Sequence, residues 1–246
     1  MQKLLTAIIS ALTSLLVVFL TSVLTTYREN KAQRRRERER VNLTYLNPLR
    51  FYLVENHFRL SEILRRVSEE GGRCEALLFV DDPKEISQQN AEWFNGQGCY
   101  LISSCYLTAC LFHQMRKVRD ALPFLELGKN DDTELMVRMT KVNLGFLRDF
   151  GIFYLTQPSI GNDMFLREEA RLISYREFCQ LLQDPERRVW FDRLLEYYIE
   201  SGRGEKLARV NDALSAMQEL SRFLDDAVGG GESIKERFES EGIKAL

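Results

Sequence analysis

The feature of the sequence that most constrains the fold is an uncharged stretch of 23 residues, 4–26. Fifteen of these residues are apolar and eight are Ser or Thr. A helix of this length covers roughly 34 Å, which is enough to cross a hydrocarbon core of about 30 Å. The stretch is longer than the apolar region of a secretory signal, and no small-residue cleavage site follows it. We therefore expect residues 1–27 to form an uncleaved transmembrane anchor.

Basic residues after the apolar stretch predict its orientation. Only Lys3 precedes the stretch, whereas the predicted juxtamembrane stalk, 28–46, carries Arg28, Lys31, Arg34, Arg35, Arg36, Arg38 and Arg40. The positive-inside bias places the amino terminus outside and the C-terminal domain in the cytoplasm, at a cell membrane that we take to be a bacterial plasma membrane. Good helix formers predict that the anchor helix continues through the stalk. Its basic side chains either contact anionic headgroups or form a solvated stalk.

Small hydroxyl-bearing residues recur along one side of the predicted anchor. Their spacing of about four residues places them within one helical stripe: Thr6, Ser10, Ser14, Thr21 and Thr25, with Thr13 beside them. Such a stripe allows a second helix to approach closely and to exchange hydrogen bonds, which predicts self-association or a partner helix. The alternative is that each hydroxyl bonds back to its own helix.

The charge distribution excludes one class of partner. The net charge of the chain is −2, but residues 1–40 carry eight basic and three acidic side chains, so residues 41–246 carry −7. A nucleic-acid-binding module needs a basic surface, so we expect no nucleic-acid partner. The expected partners are the lipid bilayer and other membrane or cytoplasmic proteins, including further copies of the chain.

Helix-start signals recur through residues 47–228 and predict an all-α class: one transmembrane helix followed by a cytoplasmic multi-helix bundle. Asp82-Pro83 and Asp184-Pro185 place a capping oxygen before a Pro, and Ser174 with Glu177 forms a capping box. Apolar periodicity and Gly or Pro breaks then predict helices at 47–70, 82–95, 98–120, 131–156, 174–183, 184–200 and 203–228. A flexible glycine linker and a short tail, 229–246, follow; the tail is either a docking peptide or a loose terminus.

Two segments of the bundle carry further expectations. Residues 99–112 are apolar or small on all sides, which predicts the central buried helix. The alternative is a second membrane span, because residues 93–115 carry no formal charge. Gly145 and Gly151 interrupt an aromatic-rich helix and indicate a close helix crossing or a kink.

The chain offers few residues for chemistry: five cysteines and two histidines. Cys110 and His113 are three residues apart on one helix and could form a thiolate–imidazole pair, whereas Cys99 would lie roughly 16 Å from Cys110 along the axis, too far to share a metal. Tyr154 and Gln157 lie in an apolar turn that either walls a pocket or is pinned into the core. No phosphate-binding loop, nucleophile elbow or di-iron motif occurs. We therefore expect no catalytic set, metal site or cofactor.

Together these features predict a single-pass, membrane-anchored scaffold or regulatory protein that acts through protein–protein interactions. One alternative is a membrane-bound enzyme or ligand sensor with a site between helices near Cys110, His113, Tyr154 and Gln157. Another alternative is a small subunit of a membrane transport complex, which would require the second span.

Overall fold

The computed structural model of the protein describes the backbone of residues 2–122 and 131–228, and the side chains of residues 19–122 and 131–226. The predicted tail, 229–246, lies outside the described residues. The chain divides into two compact units, Met1–Thr44 and Tyr45–Leu246.

The described residues are mostly helical and contain almost no strand, which confirms the all-α class. Its α-helices are α1 (Gln2–Val41), α2 (Asn47–Glu69), α3 (Ala91–Asn95), α4 (Cys99–Ala121), α5 (Asp131–Leu147), α6 (Thr156–Asp163), α7 (Tyr175–Gln183), α8 (Pro185–Arg188), α9 (Asp192–Gly202) and α10 (Leu207–Val228). A π-helical turn spans Asn42–Leu46, and 3-10 turns span Glu75–Leu77, Pro83–Gln88, Arg148–Phe150 and Val189–Phe191. Two short strands, β1 (Phe165–Leu166) and β2 (Arg171–Leu172), pair antiparallel, with Phe165 opposite Leu172.

The first unit is dominated by α1, which is helical without interruption from Gln2 to Val41 and so includes the predicted helical stalk as far as that residue. Within the part of the chain whose side chains are described, no helix is long and apolar enough to cross a membrane. Residues 4–18 of the predicted anchor lie outside that part.

The second unit is built around α4, as the sequence predicted for residues 99–112. Twelve residues of this helix are buried, because α2, α6, α7 and α9 all pack against it. A fully buried hydrogen-bond network joins three of these helices: the Thr108 hydroxyl donates to Asn56 Oδ1 at 2.6 Å and lies 2.5 Å from the Tyr198 hydroxyl. Buried polar groups that are satisfied in this way fix the register between helices.

Helices α5 and α10 form the most extensive helix pair of the described residues. They run antiparallel, since Lys141 pairs with Glu219, and seven residues later Arg148, in the turn that follows α5, pairs with Asp212. The closest approach is at Gly145, where an added Cβ would lie 2.6 Å from the Cα of Ala213. This contact confirms the close crossing that Gly145 indicated.

The predicted helix 131–156 is wrong beyond residue 147. Asp149 and Phe150 adopt φ values of 54° and 57°, a left-handed conformation that ends the helix. The chain then turns at Gly151, where an added Cβ would meet the Phe146 carbonyl oxygen at 2.2 Å. The interruption that Gly151 indicated is therefore a complete break.

Residues 157–163, which lie outside the predicted helices, belong to α6. Pro158 is accommodated in the first turn of this helix, where a missing backbone donor costs nothing. Gly161 does not break the helix but allows it to approach α4, since an added Cβ would lie 2.6 Å from the backbone nitrogen of His113.

We predict that Gly145→Ala destabilises the second unit even though Ala is the better helix former by about 1 kcal/mol. The added methyl would force α5 away from Ala213, and overpacking of this kind costs about 1–3 kcal/mol. The free energy of unfolding, measured by urea denaturation with circular dichroism, should fall accordingly.

Thr133→Ala, at an exposed position on the same helix, is the matched control and should change the free energy of unfolding by less than about 0.5 kcal/mol. A Gly145→Ala protein as stable as the wild type would contradict the close crossing.

Candidate functional site

Cys110, the candidate nucleophile, is fully buried in the core. Its thiol contacts the hydroxyls of Tyr52 and Tyr106, and burial raises the pKa of Cys110 to about 12. A reactive cysteine needs an electropositive, partly exposed environment that lowers the thiol pKa. The surroundings of Cys110 therefore favour the protonated, unreactive thiol.

His113, the proposed partner of Cys110, is engaged elsewhere. Its Nδ1 lies 3.0 Å from the Gly161 carbonyl oxygen, and its ring stacks on Phe165 at 5.0 Å between centroids. Burial lowers the pKa of His113, the Gly161 carbonyl opposes that effect, and the charges of Lys117 and Arg116 add to it. The imidazole therefore joins α4 to α6 and β1.

The other two residues of the predicted pocket also have separate partners. Tyr154 is half-exposed, and its hydroxyl accepts a 2.8 Å hydrogen bond from Arg119. Gln157 is buried, and its amide nitrogen donates to the carbonyls of Asn143 and Ile152 at 2.9 and 2.8 Å. Gln157 and Arg119 line a small pocket with room for about one water molecule. The four predicted residues thus contact four different sets of neighbours.

No group of three or more His, Cys, Asp or Glu side chains that could hold a metal ion occurs among the described residues. All five cysteines are free, and Cys99 is the most accessible of them. Tyr175 lies against both Cys99 and Cys179, and burial raises the pKa of Cys179 to about 11.

The membrane-related residues of the prediction lie on α1. The seven basic side chains of the stalk are all exposed. On the predicted packing stripe, Thr25 donates its hydroxyl back to the Thr21 carbonyl at 2.8 Å, the alternative that the sequence left open for this residue. The side chains of Thr6, Ser10 and Ser14 lie outside the described residues.

A surface on α5 exposes apolar side chains that the sequence-based prediction missed. One side of this helix is buried, through Leu135, Met139, Val142 and Phe146. On the opposite side Val137 and Leu144 lie among polar residues and are 47% and 51% exposed, and Met136, between the two sides, is 48% exposed. The signal in the sequence was a pair of apolar residues, Val137 and Leu144, seven residues apart on an otherwise polar face of the helix.

The exposed side of α5 continues onto α10 as one surface, which we name the α5–α10 face and define by Lys141, Leu144, Arg148, Asp212, Ser215, Ala216 and Glu219. These residues surround a shallow groove of about 430 Å³ whose floor is Gly145. Lys141 Nζ lies 2.8 Å from a Glu219 carboxylate oxygen, and Arg148 forms an ion pair with Asp212. Two basic residues therefore border the groove on the α5 side and two acidic residues on the α10 side.

A second exposed apolar segment follows α5. Phe150 and Leu155 are each 80% exposed, and Phe153 is 47% exposed. The neighbouring Ile152 is fully buried and anchors the segment to the bundle. The sequence left two interpretations of this turn, a pocket wall or a turn packed into the core. In the structure Ile152 is packed into the core, whereas the aromatic and leucine side chains on both sides of it are exposed.

Comparison of the chain with protein-family models, with curated proteins and with solved structures finds no match.

Burial of Cys110 predicts a slow reaction with thiol reagents. A pKa of about 12 leaves about a thousandth of the thiolate that an ordinary cysteine carries at neutral pH. In a time course with iodoacetamide followed by peptide mass spectrometry, the partly exposed Cys99 should be labelled first and Cys110 only after addition of urea. Labelling of Cys110 in the folded protein as fast as Cys99 would revive a nucleophilic role.

His113 predicts a pH dependence of stability. Because the pKa of His113 is lowered in the folded state, folding favours the neutral imidazole. The contribution of His113 to the free energy of unfolding is therefore complete above the unfolded pKa of about 6.5. As the pH falls below that value towards the folded pKa, this stability is lost. The free energy of unfolding should therefore decrease from about pH 7.5 to about pH 5.5, and His113→Gln should flatten the decrease. An unchanged slope in this variant would show that His113 does not cause it.

Proposed function

We propose that the protein is a single-pass, membrane-anchored interaction protein whose helical domain acts in the cytoplasm as a scaffold or regulator. Support for the anchor comes from the sequence: 23 uncharged residues followed by seven basic ones. In the proposed arrangement the basic, exposed part of α1 lies next to the inner leaflet, where anionic headgroups attract it by about 1 kcal/mol per basic residue.

The observation that carries the proposed interaction role is the exposure of Val137 and Leu144 on the outer side of α5. Complete burial of an exposed apolar side chain contributes about 1.5–3 kcal/mol, so covering the exposed half of Leu144 would contribute roughly half of that to a complex. The ion pairs of Lys141 and Arg148 surround the apolar centre with charges, as the polar rim of an interface does.

An enzyme or sensor site near Cys110 and His113 is less well supported, because each of these side chains is engaged by structural neighbours. The transport-subunit alternative needs a span over residues 93–115, and the buried position of α4 in the bundle offers a simpler explanation for its apolar sequence.

We expect the full chain to remain in the membrane pellet during alkaline carbonate extraction and to be released by mild detergent. Leu12→Arg with Leu16→Arg should shift it to the supernatant, since each Arg near the centre of a span costs about 2.5–3.5 kcal/mol. Asn30→Arg with Gln33→Arg, which adds the same two charges to the stalk, is the matched control and should stay in the pellet. Release of the wild-type chain by carbonate would contradict the anchor.

The same membranes test the orientation and the interaction role. Protease added to inverted vesicles should digest the helical domain, whereas protease added to right-side-out vesicles should leave it intact. Chemical cross-linking in these membranes should yield a defined larger species that contains the chain. A chain that stays monomeric at every cross-linker concentration would contradict the interaction role.

A further inference from the structure

On the α5–α10 face a projecting side chain and a recess lie at the same position along the helix axes, which we call their height. Leu144 projects from α5 and is 51% exposed. Beside it on α10 are two small residues, Ser215 and Ala216, which line the groove. Since Lys141 pairs with Glu219 and Gly145 lies against Ala213, Leu144 stands level with these small residues. A projecting leucine next to a recess of similar height is a shape that can pack against itself.

The charges of the face show the same self-complementary order. Asp212 and Glu219 are seven residues apart on α10, which separates them by roughly 10.5 Å along the helix. Lys141 on α5 and Arg148, in the turn directly after α5, are also seven residues apart and lie opposite the acidic pair, as the two ion pairs show. The face thus has a basic edge and an acidic edge of equal length. Its total charge is zero, so a strongly acidic or strongly basic partner would be attracted to one edge and repelled by the other.

We propose that the α5–α10 face binds the same face of a second copy of this chain, so that α5 and α10 of both copies form an antiparallel four-helix arrangement. A two-fold axis parallel to the helices would place α5 of one copy over α10 of the other and would preserve the height of every residue. Lys141 would then meet Glu219 of the second copy, and Arg148 would meet Asp212.

In this arrangement every charged residue of the face has two neighbours of opposite sign, one in its own chain and one in the second copy. Leu144 of each copy enters the recess at Ser215 and Ala216 of the other, as a knob enters a hole between packed helices. The apolar centre is removed from water and the charges remain at its edge, where they determine which partner is accepted. The inference rests on the proposed function, for which it names the partner.

The test uses the full chain in detergent micelles and measures its mass by light scattering after size exclusion. The variant Lys141→Glu with Arg148→Glu has an all-acidic face, and the variant Asp212→Lys with Glu219→Lys has an all-basic face. The wild type should be a dimer. Each variant alone should have a dissociation constant raised at least about tenfold, because like charges then oppose each other across the interface.

Mixing the two variants distinguishes a lost interface from a lost fold. Opposite faces should attract, so the mixture should form a heterodimer, detected by co-purification through a tag on one variant. The exposed ion pairs within one chain are worth at most about 1 kcal/mol each, so both variants should keep the wild-type circular dichroism spectrum. A third variant that exchanges the charges of α5 and α10 should dimerise with itself but not with the wild type.

Three results would overturn the inference: a monomeric wild type, variants that keep the wild-type mass, or a mixture that does not associate. If the all-acidic variant and the all-basic variant each remain dimers on their own, the dimer contact would be assigned to α1 of the first unit instead. Carbonate extraction of the same proteins is scored separately. A membrane-bound wild type that is monomeric contradicts only the inference, whereas a dimer released by carbonate contradicts only the proposed anchor.

Discussion

The close contact between α5 and α10 at Gly145 is the constraint on which the outer part of the bundle depends. Helix α10 also packs on α2, where Arg50 forms an ion pair with Asp225, and α2 packs in turn on the central helix α4. Helix α5 is thus held to the core through α10 and also directly, since the Phe146 ring lies 5.1 Å from the ring of Phe112 on α4 and 5.4 Å from that of Tyr197 on α9. Because Gly145 carries no side chain, the two helices meet backbone to backbone and leave a groove outside the contact. The same glycine thus joins the helices and shapes the surface that they present.

The helical class and the central helix could be predicted from the sequence, because caps and breaks are local signals. Ser174 and Glu177 form the expected capping box, and Asp82 caps the turn that begins at Pro83. The ends of α5 and α6 could not be predicted in the same way. Their positions depend on two left-handed residues, one of them Asp149, and on a glycine that faces another helix, and these are properties of the packed chain.

The candidate site was harder to predict than the fold, because burial depends on which helices meet. Spacing on one helix correctly put Cys110 and His113 within a turn of each other, but it could not show that Tyr52 from α2 and Gly161 from α6 engage them. In the same way, apolar residues on both sides of α5 are compatible with a core helix. Only the tertiary arrangement shows that the side carrying Leu144 is left uncovered.

The central claim is that this side of α5 is an interface in the working protein. Hydroxyl-radical footprinting of the full chain tests it directly, by comparing native membranes with dilute detergent. We predict that oxidation of Leu144 is at least about tenfold slower in the membranes, because the leucine is covered there, whereas the 80% exposed Phe150 changes little as an internal reference. Equal oxidation of Leu144 in the two conditions would contradict the account.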